Sequence, residues 1–74
     1  MKGDYETSPT GDGRWKVQQQ GAQRAVRIYD HQGPAWEQTL DLARKARTEA
    51  FLKNRHGQIR ERNTFGHDPR KSVG

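Results

Sequence analysis

The stretch WKVQQQGAQRAVRIY, Trp15 to Tyr29, alternates apolar and polar side chains on either side of a glycine. Trp15 and Val17 take one face of a strand at period two, while Lys16 and Gln18 take the other. Gly21-Ala22 sets glycine at the first central position, as a type II′ hairpin turn favours. A two-residue loop there places Gln20 opposite Gln23, Val17 opposite Val26 and Trp15 opposite Ile28. Each apolar residue then meets an apolar residue, and a slip of one would undo every match. The spacing predicts a hairpin whose apolar face is Trp15, Val17, Val26 and Ile28.

Before this hairpin, YETSP (Tyr5–Pro9) reads as an edge strand ended by Pro9, and TGDG (Thr10–Gly13) carries turn residues. After it, GPAWEQTLDLARKARTE (Gly33–Glu49) reads as the helix. Pro34 suits the first helical position, Glu37 and Asp41 fall toward the N-terminal half, and Arg44, Lys45 and Arg47 match the negative end of the helix dipole. Trp36, Leu40 and Ala43 form a stripe, widened by Thr39, Leu42 and Ala46, that would cover the apolar sheet face. FLKNRHGQIRERN (Phe51–Asn63) then closes the domain as a second hairpin with His56-Gly57 at its tip. Ala50, Leu52, Asn54 and Ile59 are expected on one face and Phe51, Lys53, Arg60 and Arg62 on the other. The fold expected is α+β, a single domain over residues 4–66: an antiparallel sheet of four to five strands, β-β-β-α-β-β, with one helix packed on one face. A flexible tail is expected over residues 67–74, where the chain is polar with glycine and proline.

Composition sets the scale. Leu, Ile, Val and Phe make ten of 74 residues and the net charge is +5, so the core is thin and depends on the aromatic rings. A homodimer or a protein partner would suit so small a core. The absence of cysteine excludes a disulfide framework and a thiolate metal site. No apolar run is long enough for a membrane span, and MKGDYETSPTGDG lacks the apolar region of a secretory signal. A cytoplasmic location in a bacterial-type cell is the expectation, with no membrane partner.

Taken together, the motifs resemble a family of small bacterial proteins catalogued as domain of unknown function 2188. The resemblance rests on Tyr5, GDGRWKV, QGAQRA, LARK, HGQIRERN and NTFGHDP, and it covers nearly the whole chain. RERNTFGHDP is its most specific part. Phe65 stands where the family pattern has Tyr, and His56 where the turn more often has Asp. The resemblance implies a small sheet-plus-helix domain and carries no activity and no functional residues.

The basic residues are the functional signal. In the expected registers Lys16 faces Arg27 and Lys53 faces Arg60, all on the sheet face turned from the helix. Like charges directly opposite cost roughly 0.2–1 kcal/mol per pair, which an anion would relieve. Arg14 and Arg62 join that face, as do the rings of Tyr29 and Phe51. Cations and rings on one surface point to non-specific nucleic-acid binding, phosphates on the charges and bases on the rings. The alternative is a merely solvated charged face on a protein-interaction module or homodimer, with Tyr29 and Phe51 as its seam. Catalysis finds no support. His31, His56 and His67 show no metal-ligand spacing, GDG lacks the Lys-Ser/Thr of a phosphate loop, and no serine or threonine has a partnering base. The expectation is a non-enzymatic accessory protein with no metal or cofactor.

Overall fold

The computed structural model describes residues 3–65; Gly66 and the expected tail, residues 67–74, lie outside the described residues. The elements are β1 (Tyr5–Pro9), β2 (Trp15–Gln19), β3 (Arg27–Tyr29), α1 (Gln32–Ala46), β4 (Glu49–Lys53) and β5 (Ile59–Thr64). They form a five-stranded sheet in the order β3-β2-β1-β4-β5, so β1 is central. Three neighbouring pairs are antiparallel, whereas β1 and β4 run parallel. The sheet is therefore mixed where an antiparallel one was expected. Chain direction explains it. Two reversals leave β3 running with β1, the helix carries the chain back, and β4 again sets out in the direction of β1. The vacant flank of β1 receives it, and a helix is the usual connection for such a crossover.

α1 packs on the face that carries Thr7, Val17, Ala50 and Leu52, in the middle three strands. Its buried line is Ala35, Thr39 and Ala43, at spacings of four. Trp36, Leu40 and Leu42 are half-buried flanks, and Ala46 is exposed. The expected stripe is thus rotated toward smaller residues. Short side chains let the helix approach close enough for the buried Thr7 and Thr39 hydroxyls to bond each other, and Thr7 also donates to Ala35 O at 3.3 Å. Pro34 occupies the third helical position instead of the first, still within the turn whose N–H groups have no helical acceptor. The helix ends on Arg47 at φ 60°, with its N–H and that of Thr48 bonded to Arg44 O and Ala43 O. That is the Schellman arrangement, with arginine at the position glycine usually holds.

Both hairpins depart from the two-residue loops read from sequence. In the first, Ala22 N–H donates to Gln19 O, so Gln20 and Gly21 are the central residues. Gly21 supplies the positive φ, 89°, at the second central position, where a type II turn needs it. Farther along, Val26 N–H donates to Val17 O although Arg27 is the register partner of Val17. Two residues thus meet one, a bulge, and β3 is shifted by one. Trp15 now pairs with Tyr29 and Lys16 with Ile28. Val26 and Ile28, expected in the core, are 52% and 48% exposed.

In the second hairpin, Gly57 N–H donates to Asn54 O and Asn54 N–H to Gln58 O, so the loop is Arg55-His56-Gly57. Asn54 Oδ1 accepts from His56 N–H and Gln58 N–H and fixes the tip. The third loop residue moves the pairing by one, and Lys53 faces Ile59. A compensating bulge follows, with Arg60 as the extra residue, and from Leu52–Glu61 onward the register agrees with expectation. Ile59 consequently lies on the outer face at 49% exposure instead of beneath the helix.

Candidate functional site

The shifted registers dissolve the surface that the sequence suggested. Neither like-charge pair forms: the partners of Lys16 and Lys53 are Ile28 and Ile59. Arg27 and Tyr29 belong to the helix side of the sheet, as register partners of Val17 and Trp15. The Tyr29 hydroxyl donates to Gln38 Oε1 on α1 at 3.1 Å, and the Arg27 guanidinium stands 5.0 Å from the Tyr29 ring centre. Phe51 does face outward, but it is only 8% exposed, with the Arg62 guanidinium over its ring at 5.6 Å. Tyr29 and Phe51 therefore lie on opposite faces and share no common seam. On the outer face Lys53 Nζ sits 3.0 Å from Glu6 Oε1, and Arg62 Nε 4.0 Å from Glu49 Oε1. Lys16 keeps its outward position and has no carboxylate within 4.0 Å among the described residues.

The cations gather elsewhere. Past the end of β1, the β1–β2 turn and the β4–β5 hairpin tip stand apart, and the start of α1 at Gln32 closes the space between them. The result is a groove of about 1120 Å³. Arg14 and Trp15 line it from one side, Lys53, Arg55, His56 and Arg60 from the other, and Leu52 is among its apolar lining. Of the six cations expected to act together, Arg14, Lys53 and Arg60 line this groove, whereas Lys16, Arg27 and Arg62 do not.

Local structure aims each side chain. Thr10 N–H donates to Arg14 O at 2.9 Å, closing a loop whose glycines, Gly11 and Gly13, have φ of 99° and 93°. Asp12 lies in that loop, bonded by the Thr10 hydroxyl and by Arg14 Nη2 at 3.2 Å. The Thr10 hydroxyl first, and then Arg14, hold the Asp12 carboxyl below its ordinary value. Opposite, the three-residue loop carries Arg55 and His56, and the bulge redirects Arg60; bulges commonly re-aim a side chain in this way. Four permanent cations thus share the groove lining with one carboxylate, Glu61. Arg14 and Lys53 have their own acidic partners, whereas Arg55 and Arg60 have no carboxylate within 4.0 Å among the described residues.

Arg55 and Trp15 were not among the expected contact residues. Arg55 reads from sequence as a turn residue and Trp15 as core, and only the longer loop and the gap beyond Pro9 bring them into one groove. Among the described residues no group of three or more His, Asp or Glu side chains is placed to hold a metal, and His67 lies outside them. No helix among the described residues is long and apolar enough to cross a membrane.

A family model described as an uncharacterized protein conserved in bacteria, DUF2188, matches residues 5–65. No curated protein and no solved structure matches the chain.

Proposed function

We propose that this chain, which belongs to the DUF2188 family of uncharacterised bacterial proteins, binds nucleic acid non-specifically through the groove between its β1–β2 turn and its β4–β5 hairpin tip. The proposal moves the expected contact surface from the outer sheet face to the groove and makes the protein a non-enzymatic accessory of the bacterial cytoplasm. The observation that carries it is the meeting of Arg14, Lys53, Arg55 and Arg60 around one groove, Arg55 and Arg60 having no carboxylate within 4.0 Å among the described residues. Uncompensated guanidinium groups are suited to phosphate oxygens, which they engage with paired N–H donors. Affinity of this kind comes from counterion release and is independent of base sequence.

Binding by a second copy along the β5 edge is the competing reading. Phe65 N–H donates to Thr48 O, just before β4, and by antiparallel alternation the N–H and C=O groups of Arg62 and Thr64 point away from the sheet. Self-pairings that set Arg62 or Glu61 against its own counterpart bring like charges directly opposite, which disfavours those registers.

The test is fluorescence anisotropy of a labelled single strand and a labelled duplex at two salt concentrations. Three neutralised phosphates on a single strand give a log–log salt slope of about −2, or roughly a twenty-fold loss of affinity between 50 and 200 mM salt. The variant Arg55→Glu with Arg60→Glu alters two exposed positions and is expected to abolish binding while leaving the circular dichroism spectrum unchanged. Absence of binding by the unaltered protein at 50 mM salt would overturn the proposal.

A further inference from the structure

Building on the groove reading, we infer that the groove takes a single strand in preference to a duplex, with a base stacked on Trp15. The rings first expected to stack are otherwise engaged. Tyr29 is tied to Gln38 beneath the helix edge and Phe51 is buried against Arg62. Trp15 is half-buried and, among the described residues, is the one Phe, Tyr or Trp in the groove lining, with apolar Leu52 also in the lining. The π-face of a ring and an apolar surface do not attract phosphates, but they suit the face of an unpaired base.

Shape gives the same direction. The β1–β2 turn and the β4–β5 tip wall the groove, and its volume of about 1120 Å³ lies slightly above the range of roughly 300–1,000 Å³ typical of small-molecule pockets. A short length of single strand fits such a space with a base turned inward and its phosphates along Arg14 on one wall and Arg55 and Arg60 on the other. A duplex keeps its bases stacked inside and shows the walls only phosphates, leaving Trp15 without a partner. The inferred ligand is therefore an unpaired strand of DNA or RNA, read through the π-face of whichever base is present.

The experiment compares three labelled probes on the full chain at 50 mM salt: a thymidine decamer, an abasic decamer with the same number of phosphates, and a decamer duplex. The thymidine strand is expected to bind at least about fivefold more tightly than the abasic one, since one stacked base contributes at least that factor. It is also expected to bind more tightly than the duplex. Trp15→Leu, where circular dichroism shows the fold retained, is expected to lower thymidine affinity to the abasic level and leave the abasic strand unaffected. Equal affinity for thymidine and abasic strands overturns the stacking inference and leaves the phosphate groove standing. Failure of all three probes to bind overturns the groove reading itself and this inference with it.

Discussion

The contact between Thr7 and Thr39 is the most exacting test of how the helix sits on the sheet. Both residues are fully buried. Their hydroxyls bond each other, and Thr7 Oγ1 also lies 3.3 Å from Ala35 O. Two hydroxyl protons thus have two acceptors, the partner oxygen and the Ala35 carbonyl. Thr7→Val removes one hydroxyl at nearly constant shape, and the remaining Thr39 hydroxyl can turn only to the carbonyl one turn back in its own helix. One hydrogen bond is lost, with a cost of about 1 kcal/mol. Thr39→Val leaves Thr7 on Ala35 O and costs a similar amount. In a domain of this size each single variant should lower Tm by roughly 4–8 °C. The double variant leaves no hydroxyl to satisfy, and replacing both partners by apolar groups of the same shape is close to neutral. The expected double-mutant cycle is therefore strongly non-additive, with the double variant within about 0.5 kcal/mol of the parent protein. Urea unfolding followed by tryptophan emission measures all four proteins. A double variant that loses the sum of the two single changes would refute the shared-hydroxyl account.

Two further expectations concern the turns. Arg47 holds a left-handed conformation at φ 60°, a strain of roughly 1 kcal/mol for a residue with a Cβ. Arg47→Gly should raise stability in thermal unfolding, and a lower Tm would contradict the helix-end geometry. Asp12 is held below its ordinary carboxyl value, 3.8, by the Thr10 hydroxyl and by Arg14. Its folded value is depressed, so its support for the β1–β2 turn is complete above the unfolded value and fades as pH falls through the folded one. A carboxyl NMR titration should place Asp12 below 3.8; a midpoint at or above that value would remove the contact from solution.

Strand alternation, the helix between two hairpins and the inner register of β4 and β5 were legible because each has a side-chain period. The bulges at Val26 and Arg60 have none. An extra residue in a strand leaves the composition of both faces plausible, and Gly21 suits a turn at either central position. The consequence was large, because one residue of slip sends Arg27 and Tyr29 under the helix side and Ile28 out. The apolar matching that favoured the two-residue loop set Val26 against Val17, yet the thin core is completed by Ala35, Thr7 and Thr39 instead. Small and hydroxyl residues carry little weight in a hydrophobic stripe, which is why the sequence centres the stripe on Trp36, Leu40 and Ala43, keeps Thr39 at its margin and leaves Ala35 out. The groove was illegible for a different reason: it is made by two loop tips remote in sequence and by a gap where β1 stops.

The central claim is one of place, that anionic ligands meet this protein between the β1–β2 turn and the β4–β5 tip and not on its outer sheet face. Amide chemical-shift mapping of the isotopically labelled chain with a short thymidine strand tests it directly. The account predicts perturbations concentrated at Thr10–Trp15 and Lys53–Arg60. Perturbations that instead follow Glu6, Gln18, Phe51 and Arg62 across the outer face would contradict it.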